Sequence, residues 1–220
     1  MLRVAYLEPK ANPEGPHAAA TAEIVRALED HVELTRLRPH ANGRGLERVI
    51  RPKRFDRILG VFENAGDMVH GLGALRRHGG VAVLHGWELG SLAQAASPSL
   101  QGSGGLLGAF AAWRHGGTAE MRRWRAGDRG GLAFNRRVVR WADAFIVEER
   151  ELAHRIQDER NAPTAVQFAE LVPGELGAEE TARRWAKCLE VLPAHRSGAK
   201  SLIATAIAGA DAARQQRARE

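Results

Sequence analysis

Short apolar runs alternate with segments of helical spacing along most of the chain. The runs are rich in β-branched residues and are bounded by Gly, Pro or polar residues, which is typical of buried strands. The predicted strands span residues 2–7, 32–37, 57–62, 80–84, 144–147 and 164–168. Because strands that alternate with helices are joined by right-handed crossovers, this pattern predicts an α/β fold with a mainly parallel sheet.

The segments between the runs place apolar residues three or four apart, as amphipathic helices do. Such helices are expected over residues 20–28, 67–77 and 87–95. The stretch 97–131 contains two glycine-rich motifs and carries no strand signal. We interpret it as an insertion or lid.

After Pro173 the pattern becomes helical. One apolar stripe lies within 182–192 and a second within 202–210. The sequence therefore predicts a single Rossmann-like domain over residues 1–175, followed by a helical C-terminal tail over 176–220.

The composition is that of an ordinary globular protein, since 44% of the 220 residues are hydrophobic and 26% are charged. Cys188 is the only cysteine, which excludes an internal disulfide framework and a multi-cysteine zinc site and favours a reducing compartment. The first residues lack the apolar core of a signal peptide, and the longest apolar stretches fall short of the ~20 residues that span a bilayer. A cytoplasmic protein is expected.

Several enzyme signatures are absent: the GxxxxGK[ST] phosphate loop, the HExxH zinc motif and the GxSxG nucleophile elbow. No cofactor and no metal site are predicted, because no close pair of ligand-type residues is supported by a third. The first strand-to-helix loop carries Gly15 and His17. We predict substrate binding there, because ligands of parallel sheets gather at the carboxyl ends of strands and helix N-termini attract anions. A plain turn is the alternative.

Two stretches, 55–64 and 81–89, and the histidine between them, His70, are the most informative. The first reads FDRILGVFEN and the second VAVLHGWEL. At these residues the chain resembles the acceptor-side, N-terminal Rossmann domain of GT-B glycosyltransferases that use nucleotide sugars. In that family a strand ending near Gly-Asn precedes a helix that bears a His, and the next strand ends in Leu-His-Asp at the interdomain cleft. The segment WADAFIVEERELA, residues 141–153, is similar to a later strand and helix of the family.

The resemblance covers about residues 2–172 and implies half of a GT-B fold, with the donor-binding domain missing. It also shows departures that bear on catalysis. Gly86 stands where the family commonly has Asp, and Glu149 stands where it commonly has Ser. Glu151 and Glu159 have the spacing of the family's donor-binding Glu pair, but they fall on a polar helix and are interpreted as a solvated face.

His85 and Glu88 are the predicted catalytic residues, as an acid/base or acceptor-orienting pair. His titrates near neutrality, and a carboxylate three residues on could share its helical face and fix its tautomer. A partly buried, structural His85 is the alternative. Glu63 and Asn64 are predicted to bind acceptor hydroxyls or to cap the helix that follows. His70 is a further substrate-binding candidate, with a structural role as the alternative.

The basic charge of the chain is local. Residues 121–142 contain seven arginines and one acid, a net of +6 that equals the excess of the whole chain. Such a patch can face a phosphorylated or lipid-linked acceptor, nucleic acid or an anionic membrane surface, or it can be a solvated face. Arg122 and Arg125 are the predicted substrate-binding members.

Three functions remain open. The first is a glycosyltransferase-like protein, the acceptor-binding half of a sugar transferase, whose partners are a sugar-containing or phosphorylated acceptor and a donor-domain protein or a second copy. The second is a catalytically inactive scaffold or regulatory binding protein of the same fold. The third, less favoured, is a Rossmann-like binder of nucleotides or nucleic acid that uses the arginine patch.

Overall fold

The structure is a computed structural model, and it describes residues 1–10, 15, 17–39, 46, 50–102, 105–147, 149–160, 166–168 and 177–192. Six strands form one sheet in which every pairing is parallel, in the order β2-β1-β3-β4-β5-β6. The strands are β1 (Arg3–Leu7), β2 (Glu33–Leu37), β3 (Arg57–Phe62), β4 (Val81–Leu84), β5 (Ala144–Val147) and β6 (Val166–Phe168). The predicted α/β, Rossmann-like fold class is confirmed.

The described residues form seven α-helices. They are α1 (Ala18–Leu28), α2 (Val69–His78), α3 (Gly90–Ala96), α4 (Leu106–Arg125), α5 (Arg136–Trp141), α6 (Arg150–Arg160) and α7 (Ala178–Val191). Two of them differ from the sequence-based expectation. The helix expected over 87–95 begins only at Gly90, and the region interpreted as a lid contains the 20-residue α4. The second predicted tail helix, over 202–210, lies outside the described residues.

Helices cover both faces of the sheet. Alternate residues of the central strands point to opposite sides, so that Leu7 and Phe62 pack under α2, α3, α5 and α6. Tyr6 and Val61 belong to the other face, which α1 and α7 cover. The central strands are buried on both faces, as the continuous apolar run of β3 predicts.

Helix α7, the last of the described helices, is part of this core. Trp185 and Leu189 are fully buried, and α7 packs beside α1 over the sheet. The buried Arg57 donates through Nε to the carbonyl of Leu189 at 2.8 Å, and through its terminal nitrogen to that of Leu192. A cation that satisfies the last carbonyls of a helix also complements its dipole. The tail that the sequence predicts thus begins with a helix that is docked on the domain.

Helix α4 belongs to a third, smaller apolar cluster with Trp124 and Phe134. It bends at Gly117, whose φ of 89° interrupts the helix. The carboxylate of Glu120 accepts hydrogen bonds from the backbone N–H groups of Ala133 (2.8 Å) and Phe134 (2.9 Å). These bonds fix the loop that leads from α4 into α5.

The strand order reverses its direction of growth at β1, because β2 lies on one side of β1 and β3 on the other. In open parallel sheets, ligands bind outside the carboxyl ends of the strands at such a switch point. The loops after β1 and β3 meet there, so this edge of the sheet is the first place to look for a site.

Candidate functional site at the sheet switch point

A cavity of about 670 Å³ opens at the carboxyl ends of β1, β2 and β3. We call it the switch-point pocket. Its floor is formed by Tyr6, Val25 and Val61, and its wall by the first turns of α1. Its volume is in the range of small-molecule sites. The pocket therefore stands where the strand order predicts a ligand.

Charges of both signs surround the pocket. The charged residues that line it are Glu8, Glu63, Asp67, Lys10, Arg36 and Arg38, three acidic and three basic. The Glu8 side chain is 12% exposed and pairs with Arg38 at 2.5 Å and with Arg36 at 3.5 Å. Because the signs balance, the pocket favours a neutral ligand with several hydroxyl groups over a highly charged one.

Tyr6 supplies a polar group to the floor. Burial, and next the neighbouring carboxylate of Glu8, raise the pKa of the Tyr6 phenol above its usual range. The phenol therefore stays protonated and can donate a hydrogen bond to a ligand in the pocket.

Glu63 joins the loop after β3 to the loop before α1. Its Oε2 accepts a hydrogen bond from the backbone N–H of His17 at 3.1 Å. A Cβ added at Gly15 would lie 2.3 Å from the same oxygen, so glycine is what lets the carboxylate approach. An acid at a helix N-terminus is also favoured by the helix dipole. The structure thus brings the predicted residues Gly15, His17 and Glu63 together.

His85 follows β4 directly and is half-buried. Its Nε2 lies 3.3 Å from Oγ1 of Thr21, which lines the pocket from α1. Its ring stacks on that of His17, with centroids 4.7 Å apart and planes inclined by 25°. His85 is therefore placed at the edge of the switch-point pocket, beside the three residues that the sequence also singled out.

Glu88 does not lie where a helical face shared with His85 would place it. Residues 85–89 are not helical, so His85 and Glu88 do not share a helical face. Glu88 is exposed, and its carboxylate lies next to Gly131, where an added Cβ would be 3.4 Å from Oε1. The prediction assumed that the helix begins at Trp87, whereas it begins at Gly90.

Asn64 and His70 have structural partners. Oδ1 of Asn64 accepts a hydrogen bond from the N–H of Ser91 at 2.7 Å, so this side chain caps α3 and not the helix that follows it in sequence. His70 is buried, and its Nε2 lies 2.8 Å from the carbonyl oxygen of Glu8. Burial lowers the pKa of His70. As a neutral ring it ties α2 to the end of β1.

Arg122 and Arg125 lie exposed near the C-terminal end of α4. Neither lines the switch-point pocket as described. The basic stretch 121–142 is divided by the fold, because its second half, in α5, turns toward α2 and α4. Trp124, which the sequence places within the patch, is buried in the third cluster.

Sequence reasoning missed the polar groups that face the pocket: Tyr6, Glu8, Thr21, Arg36 and Arg38. A signal for some of them was present. Glu8, Arg38 and Glu63 are each the first residue after a strand, and the carboxyl ends of neighbouring parallel strands meet at one edge. Only the strand order, which places β2, β1 and β3 side by side, brings these ends together.

Within the described ranges, no group of three or more His, Cys, Asp or Glu side chains could hold a metal ion. In the same part of the chain, none of the helices combines the length and apolar character needed to cross a bilayer.

Comparison of the chain with protein-family models, with curated proteins and with solved structures gave no match.

Proposed function

We propose that this chain is the acceptor-binding half of a glycosyltransferase-like protein. It holds a hydroxyl-bearing acceptor in the switch-point pocket and acts with a donor-binding partner or a second copy of itself. The observation that carries the proposal is the position of His85, at the carboxyl end of β4 and one hydrogen bond from the pocket through Thr21.

The pocket suits a sugar. Its charges balance, and the Tyr6 phenol and the Glu8 and Glu63 carboxylates offer both a donor and acceptors. Sugar hydroxyls make both kinds of hydrogen bond, and the apolar floor of Val25 and Val61 can pack against a sugar ring.

His85 would act on the acceptor hydroxyl. In sugar transfer, the acceptor oxygen forms a bond to the anomeric carbon while the bond from that carbon to the nucleotide phosphate breaks, and the hydroxyl proton must be removed. A neutral imidazole can take that proton. The contacts with Thr21 and His17 would fix the position of the ring for this step.

A binding protein without catalysis is the second candidate, and Gly86 favours it. The family resemblance places Asp after the strand-end histidine, whereas this chain has Gly. A Cβ at Gly86 would meet nothing within 4 Å. The space beside His85 is open, so the missing carboxylate has no steric cause.

Titration of the isotope-labelled chain with methyl α-mannoside, methyl α-glucoside and maltose, followed by NMR, tests the proposal. We expect at least one of them to shift the amide resonances of Gly15, His17 and Thr21. His85→Ala should weaken that binding about fivefold, the effect of one lost hydrogen bond of ~1 kcal/mol. His154→Ala is the matched control, because His154 is exposed on α6.

Binding that is equal in His85→Ala and His154→Ala, or no binding by any of the three sugars, would contradict the proposal. Release of free nucleotide from UDP-glucose or GDP-mannose, when a donor-domain protein and the bound sugar are added, separates the transferase from the binding protein. Sugar binding without any nucleotide release favours the second candidate.

A further inference from the structure

A second concave region lies between α2, α4 and α5, on the other side of the sheet from Tyr6 and α1. It has a volume of about 370 Å³. We call it the arginine cavity, after the five arginines that line it: Arg76, Arg114, Arg136, Arg137 and Arg140. Among the described residues that line it, none is acidic, and none of its arginines forms an ion pair with a described carboxylate.

Arg137 is the centre of this arrangement. The residue is only 9% exposed, and its Nε has no hydrogen-bond partner among the described residues. Burial, and next the charges of Arg114 and Arg76, lower the pKa of Arg137 to about 10. A buried guanidinium that is surrounded by cations is unfavourable, and an anion in the cavity would relieve this cost.

Two tryptophans hold the guanidinium groups in place. The guanidinium carbons of Arg137 and Arg76 lie 5.3 Å and 5.9 Å from the ring centre of Trp141, and that of Arg136 lies 5.8 Å from the ring centre of Trp113. These distances are those of cation–π contacts. The donors are thus oriented by packing before any ligand arrives.

We propose that the arginine cavity binds a phosphate group of a phosphorylated ligand. Planar guanidinium groups recognise phosphate oxygens through paired, charge-assisted hydrogen bonds, and several of them are directed at one small space. This site is separate from the switch-point pocket, and the inference does not depend on the proposed acceptor binding.

The exposed apolar side chains beside the cavity bear on the source of the phosphate. Leu106, Leu107, Phe110 and Trp113 share one face of α4 and are 89%, 76%, 55% and 42% exposed. Trp113 also lines the cavity. An apolar helix face next to arginines is typical of contact with an anionic lipid surface, so the phosphate can come from a lipid headgroup or from a free phosphorylated molecule.

Two binding measurements distinguish the sources. Calorimetric titration with inorganic pyrophosphate tests a free phosphate. Cosedimentation with phosphatidylcholine vesicles, with and without phosphatidate, tests a headgroup. Arg137→Met should weaken the binding of whichever probe is retained about tenfold or more, since charge-assisted hydrogen bonds are worth about 1.5 to 3 kcal/mol. The double variant Arg114→Gln/Arg140→Gln changes only exposed side chains and gives a second test if Arg137→Met does not fold.

The matched control is Arg26→Gln/Arg77→Gln, which also removes two positive charges, but at exposed positions that do not line the cavity. Its affinity should stay within about twofold of wild type, because exposed charges that do not line the cavity are screened by salt. Leu107→Ser/Phe110→Ser should weaken vesicle binding and leave pyrophosphate binding unchanged. If neither probe binds, or if the cavity and control doubles lose the same affinity, the proposal is wrong.

Discussion

The switch-point pocket and the arginine cavity lie on opposite sides of one sheet and contain similar numbers of charged side chains, six and five. In the pocket, acids and bases are equal in number, and Glu8 pairs with both Arg36 and Arg38. In the cavity, all five charges are arginines. The charges that line the pocket balance one another without a ligand. Those that line the cavity are all positive, and only an anion from outside would balance them.

The difference follows from where the charges come from in the sequence. The pocket collects residues from three strand ends, which carry both signs. The charged residues of the cavity lie on α2, α4 and α5, and all of them are basic. A fold can keep such a like-charged cluster because its core supplies the stability elsewhere.

The largest expected effect is a pH dependence of the free energy of unfolding that comes from His115, near the arginine cavity. It is fully buried on α4, with Nε2 3.0 Å from Oγ of Ser97. Burial, and next Arg137 and Arg114, lower the pKa of His115 to about 3. The unfolded chain takes up a proton near the usual histidine pKa, and the folded chain does not. Stability should therefore fall by about 2 kcal/mol between about pH 7.5 and about pH 5 from this group alone.

Denaturant unfolding, followed by tryptophan fluorescence at a series of pH values, measures this loss. His115→Gln should remove most of the His115 contribution, and His154→Gln, at an exposed position, should keep it. His70 contributes in the same direction, because its pKa is also lowered by burial. An equal pH dependence in wild type and His115→Gln would contradict the assignment.

Arg137→Met tests whether the buried positive charge of the cavity is uncompensated. It replaces the buried cation by an apolar side chain of similar length. We therefore expect the free energy of unfolding without ligand to rise by about 1 to 2 kcal/mol. At the same concentration, pyrophosphate should stabilise the variant less than wild type. Arg77→Met, on the same face of the sheet but exposed, should change stability by less than about 0.5 kcal/mol. A destabilised Arg137→Met would show that the charge is compensated.

Glu8→Gln would make the pocket resemble the cavity. It leaves Arg36 and Arg38 without their shared carboxylate, and we expect a loss of about 1 kcal/mol in the free energy of unfolding. Arg38→Gln should cost only a few tenths of a kcal/mol, because Arg38 is 80% exposed. Chemical denaturation of both variants measures the two losses in the free energy of unfolding. Equal losses would mean that the burial of Glu8 has no energetic consequence.

Two glycines at the pocket give the smallest effects. Gly15→Ala should cost about 0.5 to 1 kcal/mol, because the new Cβ displaces the Glu63 carboxylate from the His17 N–H. Gly86→Ala meets open space and should change stability by less than about 0.5 kcal/mol. Thermal unfolding of both variants measures the difference. A larger loss for Gly86→Ala would show that the site beside His85 is closed.

Much of the fold could be predicted from the sequence because apolar runs report burial directly. The strands β3 and β5 have the predicted bounds. Helix α4 was missed because the glycine-rich motifs at 102–105 and 127–131, which resemble loops, lie at its two ends, and because Gly117 interrupts its helical geometry. The buried face of α1 consists of Thr21, Val25 and Leu28, whereas Ala20, the first residue of the predicted helix, is exposed.

The candidate site was only partly predictable. Residues in the loops that follow strands, such as Gly15, Glu63 and His85, can be found because topology alone sends these loops to one edge. The arginine cavity could not be found in this way. Arg76 and Arg114 lie outside the basic stretch 121–142, which supplies the other three arginines. Side-chain packing against Trp141 decides which of them converge.

The most direct test of this account is the response of the five tryptophan indole N–H resonances to pyrophosphate. Trp113 and Trp141 line the arginine cavity, whereas Trp185 is buried under the opposite face of the sheet. We predict that pyrophosphate shifts the signals of Trp113 and Trp141 in a saturable way and leaves that of Trp185 unchanged. Shifts confined to the amides of Gly15, His17 and Thr21 would contradict the assignment of the anion site to the arginine cavity. The absence of any shift, together with no retention on phosphatidate vesicles, would contradict it as well.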